Sequence, residues 1–251
     1  MNRYQSSRGP SLLVPIATIL IAAGGFALAE QPAATTKPAA TAPAASDHYR
    51  MTFSDFLKSE AAQRPIDLQA VDHALIEAAI LHETNRVRAE HQLPALAHDP
   101  KLAAAARMHG DDMVAGDFFA HENPDDAAKR EPMDRVKRHA YDPRYVAENI
   151  ATAFAIRYEA GKAYYPVPGG ISYSQRGKPI EPHTHASFAK DLVQRWMDSP
   201  GHRANILAKE PTQLGAGIAV KPAKDEEELT TLYAVQNFGA PMRPSPVRDR
   251  R

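Results

Sequence analysis

From Gly9 to Ala29 the sequence carries no charge, and this stretch constrains the fold more than any other. Leu12 to Leu28 is an apolar run interrupted by Pro15, Gly24 and Gly25, and Arg3 and Arg8 precede it. Ala27-Leu28-Ala29 fits the small-x-small rule for signal peptidase, so residues 1–29 read as a signal peptide and Glu30 as the first mature residue. The rival reading is an uncleaved anchor, because the run nearly reaches spanning length. The cleavage site and the polar segment after it favour removal, with a secreted or periplasmic product and no stable membrane insertion. An exported chain commonly leans on disulfides, yet this one has no cysteine. It must be held by its core or by a ligand, and it has no thiol for lipid attachment. With 251 residues, 43% of them apolar, it has enough for one domain with a sizeable core. Lys and Arg balance Asp and Glu at 30 each, so no broad field argues for nucleic acid or an anionic surface as partner.

The mature chain divides by composition. Residues 30–65 form an Ala/Thr/Pro-rich linker and N-terminal extension, most biased from Gln31 to Ser46 and unable to bury a core there. Residues 241–251 form a basic, Pro-rich tail expected to fray. The folded unit is expected over 66–240. Asp67 is placed to cap a helix carrying Leu68, Val71, Leu75, Ala79 and Ile80 on one stripe. Asp99-Pro100 starts a second, Ala-rich helix that Gly116 stops. A third runs from about Ser187 to Asp198, with Phe188, Leu192, Val193 and Trp196 on one side. Two late strands, Leu214–Val220 and Thr231–Phe238, make an antiparallel pair around a charged loop. The segment 157–185, rich in Tyr, Pro and Gly, reads as an inserted hairpin or long loop. The class is α+β, with helices packed on a small antiparallel sheet.

Eleven histidines are too many for residue type alone to single out a site. His121 follows an aromatic pair and precedes a turn in Phe118-Phe119-Ala120-His121-Glu122-Asn123-Pro124. Glu148 lies among small apolar residues, as a partly buried carboxylate would. His202 comes just beyond the third helix. His183-x-His185 has the look of a metal clip, although a solvated or helix-capping role suits it better. His91 and His109 read as surface or packing residues, and Asn85 and Arg88 as a tie from the first helix to a loop. Trp196 and Phe118-Phe119 read as core anchors. No nucleophile elbow, P-loop or dinucleotide fingerprint occurs.

Six segments in register carry a resemblance. Asn85-x-x-Arg88, Phe119-x-His121-x-x-Pro124, Glu148-Asn149, Trp196 to Leu207, Leu214-Gly215-x-Gly217 and Gln236-Asn237-Phe238-Gly239 resemble the bacterial SCP-like branch of the CAP superfamily. That superfamily takes in cysteine-rich secretory proteins, antigen 5 and the class-one pathogenesis-related proteins. The resemblance implies an α-β-α sandwich and a cleft lined by two His and two Glu. By position, His121, Glu148 and His202 match three of the four, whereas Asp198 and Ser199 stand where the second Glu is expected.

Two imidazoles and a carboxylate are a sensible set of ligands for a divalent cation, zinc first. His121, His202 and Glu148 are the candidate metal ligands, with Asp198, Ser199 and Glu122 as further cleft candidates. Alternatively the two histidines and Glu148 share hydrogen bonds and brace the cleft. The leading expectation is an exported binding module for a cation, small ligand, lipid or peptide. The rivals are a metal-assisted hydrolase with Glu148 or Glu122 as base, and an envelope interaction protein with no cleft chemistry.

Overall fold

The computed structural model describes residues 45–242 apart from 160 and 225–227; the expected signal peptide and residues 243–251 of the expected tail lie outside the described residues. Three short helices come first, α1 (Ala45–His48), α2 (Phe53–Lys58) and α3 (Glu60–Gln63), followed by the long α4 (His73–Glu90). Then come β1 (Ala97–His98), α5 (Pro100–Ala115), α6 (Pro132–Arg138), β2 (Pro143–Phe154) and a hairpin of β3 (Tyr165–Val167) and β4 (Gly170–Ser172). The helices α7 (His185–Asp198) and α8 (Pro200–Ile206) and the strands β5 (Gln213–Lys221) and β6 (Thr231–Pro241) complete the domain.

The main sheet has the order β1-β5-β6-β2 and is antiparallel except for the two-residue β1, which runs parallel to β5. Both faces of it are covered, so its strands bury alternate residues in opposite directions. Leu214, Ala216 and Ile218 of β5 join Leu232, Ala234 and Phe238 of β6 against Ile76 and Ile80 of α4 and Leu192 and Trp196 of α7. On the other face Tyr233, Val235 and Ile150 pack on Ala106 and Met113 of α5, and Leu102 and Ala105 meet Val136 of α6. This is an α-β-α sandwich.

The glycines of Leu214-Gly215-x-Gly217 set the spacing of the second layer. A methyl group at Gly215 would stand 2.0 Å from Ala103 N, and one at Gly217 would stand 2.3 Å from Arg107 N. Helix α5 therefore lies directly on β5, which only a residue without Cβ permits. Trp196, the only tryptophan, is 1% exposed and donates from Nε1 to Ile150 O at 3.2 Å, tying α7 to β2.

Several boundaries moved, each for a local reason. Helix α4 is capped by Asp72, whose Oδ1 accepts from Leu75 N at 3.1 Å; Asp67 instead closes a turn on Gln69 N. Thr52 and Ser59 cap α2 and α3, and Phe56 and Ala62 from those helices enter the core, so folded structure reaches N-terminal of 66. The region 157–185 does hold a hairpin, β3 with β4. Asn85 and Arg88 are ties as expected: Asn85 exchanges hydrogen bonds with Leu96, and Arg88 donates to the carbonyls of Pro94, Ile206 and Ala208.

Candidate functional site

Glu148 is the centre of the site. It lies on β2, on the sheet face covered by α5 and α6, with its side chain 1% exposed. A carboxylate so buried needs partners, and both oxygens have one. Oε2 accepts from Arg135 at 2.7 Å, and Oε1 lies 3.0 Å from His121 Nδ1. Because a carboxylate only accepts, this places the proton of a neutral His121 on Nδ1 and leaves Nε2 as a free lone pair on a half-exposed ring.

Arg135 is itself fully buried on α6. Its guanidinium also donates to the carbonyls of His121, Lys129 and Arg130, at 2.9, 3.1 and 2.8 Å. One side chain thus fixes both the carboxylate and the loop that carries the imidazole. From the other side His109 Nε2 meets Ala120 O at 2.9 Å, and the same nitrogen lies 3.8 Å from Glu148 Oε1. Burial pushes the His109 imidazole below its ordinary range, so it stays neutral and acts as a donor to that carbonyl. Asn123 braces the turn, accepting from Asp125 N and Asp126 N and donating to Asp112.

His202 arrives on α8 through a second lattice of amides. Asn205 donates to Glu148 O and to Asn149 Oδ1, at 3.1 and 2.9 Å. Asn149 donates to His202 O at 3.3 Å and to Gln236 at 3.2 Å, and Gln236 continues to Thr84 on α4. Asn149 and Gln236 therefore crosslink β2, β6, α8 and α4, while Asn237 donates to Leu102 O on α5. Burial, and then the nearby His121 ring, push the His202 imidazole below its ordinary range.

The remaining candidates are not brought to this cluster. Glu122 turns outward to Arg130 at 3.6 Å. Asp198 accepts from Gln194 on the exposed side of α7, and Ser199 serves as backbone junction between α7 and α8. His183 and His185 diverge, one to Ser187 Oγ and the other to Arg64 O, which is the helix-start role. The aromatic pair is not the core anchor expected: Phe118 is half-buried against the α5 cluster, and Phe119 is 49% exposed and stands edge-on to Tyr233. Nothing in the sequence marks Arg135 as a site residue, and His109 reads there as a surface or packing residue. Glu131-Pro132-x-Asp134 was the available signal for α6, since Asp134 accepts from Glu131 N at 3.1 Å.

The geometry also bears on a metal. Among the described residues no group of three or more His, Cys, Asp or Glu is placed to hold an ion. Glu148 does not fit as a ligand while a buried guanidinium and an imidazole engage its two oxygens. The free nitrogens of His121 and His202 are the donors that remain.

Residues 81–238 match the family described as CAP, the cysteine-rich secretory protein family. The chain belongs to this family. The CAP domain here keeps the architecture without any cysteine. It is 26% identical over 188 residues to the uncharacterized protein YkwD of Bacillus subtilis, across 75% of this chain and 54% of that one. It is 27% identical over 162 residues to the uncharacterized membrane protein YlbC of the same organism, across 64% and 34%. The chain thus spans about half or less of these curated relatives' length. Among solved structures it is similar to an extracellular SCP-domain protein from Bacillus anthracis, at 25% identity and a TM-score of 0.45, covering 66% of this chain and 41% of that one. No helix among the described residues is long and apolar enough to cross a membrane.

Proposed function

We propose that this CAP domain is an exported binding module whose ligand meets the chain at the imidazoles of His121 and His202. The observation that carries the reading is the 3.0 Å contact between His121 Nδ1 and Glu148 Oε1. Glu148, held by Arg135, accepts a hydrogen bond from Nδ1–H and leaves the Nε2 lone pair on the half-exposed side of the ring. A carboxylate behind an imidazole is the arrangement that orients a histidine toward an electrophile or a cation. Glu148 then orients and does not ligate. A divalent cation, zinc first, would take the two imidazole nitrogens as its protein donors and its other ligands from the bound molecule or water. A hydrolase with Glu148 or Glu122 as its base would need that carboxylate free to move a proton. Both oxygens of Glu148 are committed and Glu122 faces Arg130, which supports binding over hydrolysis.

Calorimetric titration with zinc, on wild type and on His202→Ala, tests this. Binding to wild type should weaken at least tenfold between pH 7.5 and pH 5.5, because an imidazolium cannot ligate. His202→Ala should abolish it. Equal heats from the two proteins would rule the pair out as the site.

A further inference from the structure

Four aromatic rings gather outside every core cluster, at the end of β2 and the β3–β4 hairpin. Tyr158 is their hub. It meets Phe154 edge-on at 5.4 Å and Tyr164 edge-on at 5.6 Å, and stacks on Tyr173 at 6.2 Å. Burying such rings in the core would stabilise the fold, so gathering them at the surface calls for another account. Phe154 and Tyr158 form one wall of a groove of about 730 Å³ whose other wall is α7. That size falls in the ~300–1,000 Å³ range of small-ligand sites.

The groove's polar wall defines the ligand. Asp191 pairs with Arg195 at 3.2 Å, and Glu159 pairs with Lys162 at 2.5 Å, so the acids are neutralised. Arg157 and Lys190, which also line it, have no side-chain hydrogen bond or ion pair among the described residues. Part of the backbone along the groove is already engaged. Arg157 N is bonded to Glu181 O, Ile156 bridges to Pro182, and Thr152 O accepts from Arg195. What remains is aromatic faces beside flat hydrogen-bonding side chains and two free cations. A pyranose ring matches that combination, laying its C–H face on an aromatic ring and its hydroxyls against amide and guanidinium edges. We propose that this groove binds a carboxylate-bearing oligosaccharide, with Tyr158 as the stacking platform and Arg157 and Lys190 as the groups that meet the carboxylates.

The proposal is independent of the His121 cluster and is tested with defined probes. Tetragalacturonate and the neutral cellotetraose are titrated into the full chain and three variants. Tetragalacturonate should bind wild type at least tenfold more tightly than cellotetraose, with an affinity that falls as salt rises. Tyr158→Ala should weaken it at least tenfold. The exposed double change Arg157→Gln/Lys190→Gln, which leaves the core untouched, should weaken it as much and remove the salt dependence. His202→Ala should leave it unchanged. Absence of binding to wild type at millimolar probe, equal affinity for the two sugars, or an unaltered double variant would each overturn the proposal.

Discussion

Glu148 and Glu77 are both buried glutamates with an arginine nitrogen 2.7 Å away, yet they sit in different electrostatic settings. The partner of Glu148 is Arg135, fully buried and bonded to three loop carbonyls, so the cation cannot retreat into water. The partner of Glu77 is Arg107, whose side chain is 46% exposed. Tyr49 adds a long bond at 3.3 Å, and burial still pushes the Glu77 carboxyl up to about 7, with Arg107 pulling the other way. Equal distances thus conceal unequal compensation. A buried guanidinium serves the carboxylate and the loop alone, whereas an exposed one is shared with solvent. The first arrangement fixes a site, and the second leaves a proton near neutrality.

Removing the two arginines gives the largest expected effect. Arg135→Met strands a buried carboxylate and frees three carbonyls, so it should lower unfolding stability by ~3–5 kcal/mol, as broken buried pairs do. Arg107→Met should cost about 1 kcal/mol or less, because its guanidinium is half in water and Glu77 can take up a proton. Urea unfolding at pH 7 measures both. Equal losses would break the contrast.

A smaller effect sharpens it. Glu77 has a folded-state pKa raised from 4.5 to about 7, so the folded form holds the extra proton between those values. Its contribution to stability is full below ~4.5 and is lost as pH rises through ~7, by at most ~3 kcal/mol. His109 and His185 act in the opposite sense. Burial depresses both, so their contribution is present above ~6.5 and is lost as the pH falls. Glu77→Gln should remove the first slope and leave the second. The difference between wild-type and variant stability from pH 4.5 to 7.5 reports it, and a flat difference would show that Arg107 compensates Glu77 fully.

The same contrast explains what was legible in the sequence. Helices α5 and α7 and strands β5 and β6 announce themselves through Asp99-Pro100, the stripe from Phe188 to Trp196, and alternating apolar residues. The cluster's strand did not. In β2 the positions Glu148 and Asn149 interrupt the apolar pattern, because the Glu148 side chain meets Arg135 and His121 and Asn149 is crosslinked to Asn205 and Gln236. Helix α6 is seven residues long and buries little beyond Arg135 and Val136, so no periodicity marks it. Arginine is among the residues most often exposed, and Arg135 became visible as a partner only once Glu148 was placed beside it. His121, Glu148 and His202 are marked by family motifs; the contacts of Glu148 with Arg135 and His121 depend on distances that spacing does not encode.

The central claim is that Glu148 orients His121 so that Nε2, together with His202, faces the ligand. Long-range ¹H–¹⁵N correlation spectra of the histidine rings at pH 7.5, before and after adding zinc, test it directly. The account expects neutral His121 to carry its proton on Nδ1, and zinc to shift resonances of His121 Nε2 and the His202 ring while His183 and His185 stay in place. A proton on His121 Nε2, or zinc shifts confined to other histidines, would contradict it.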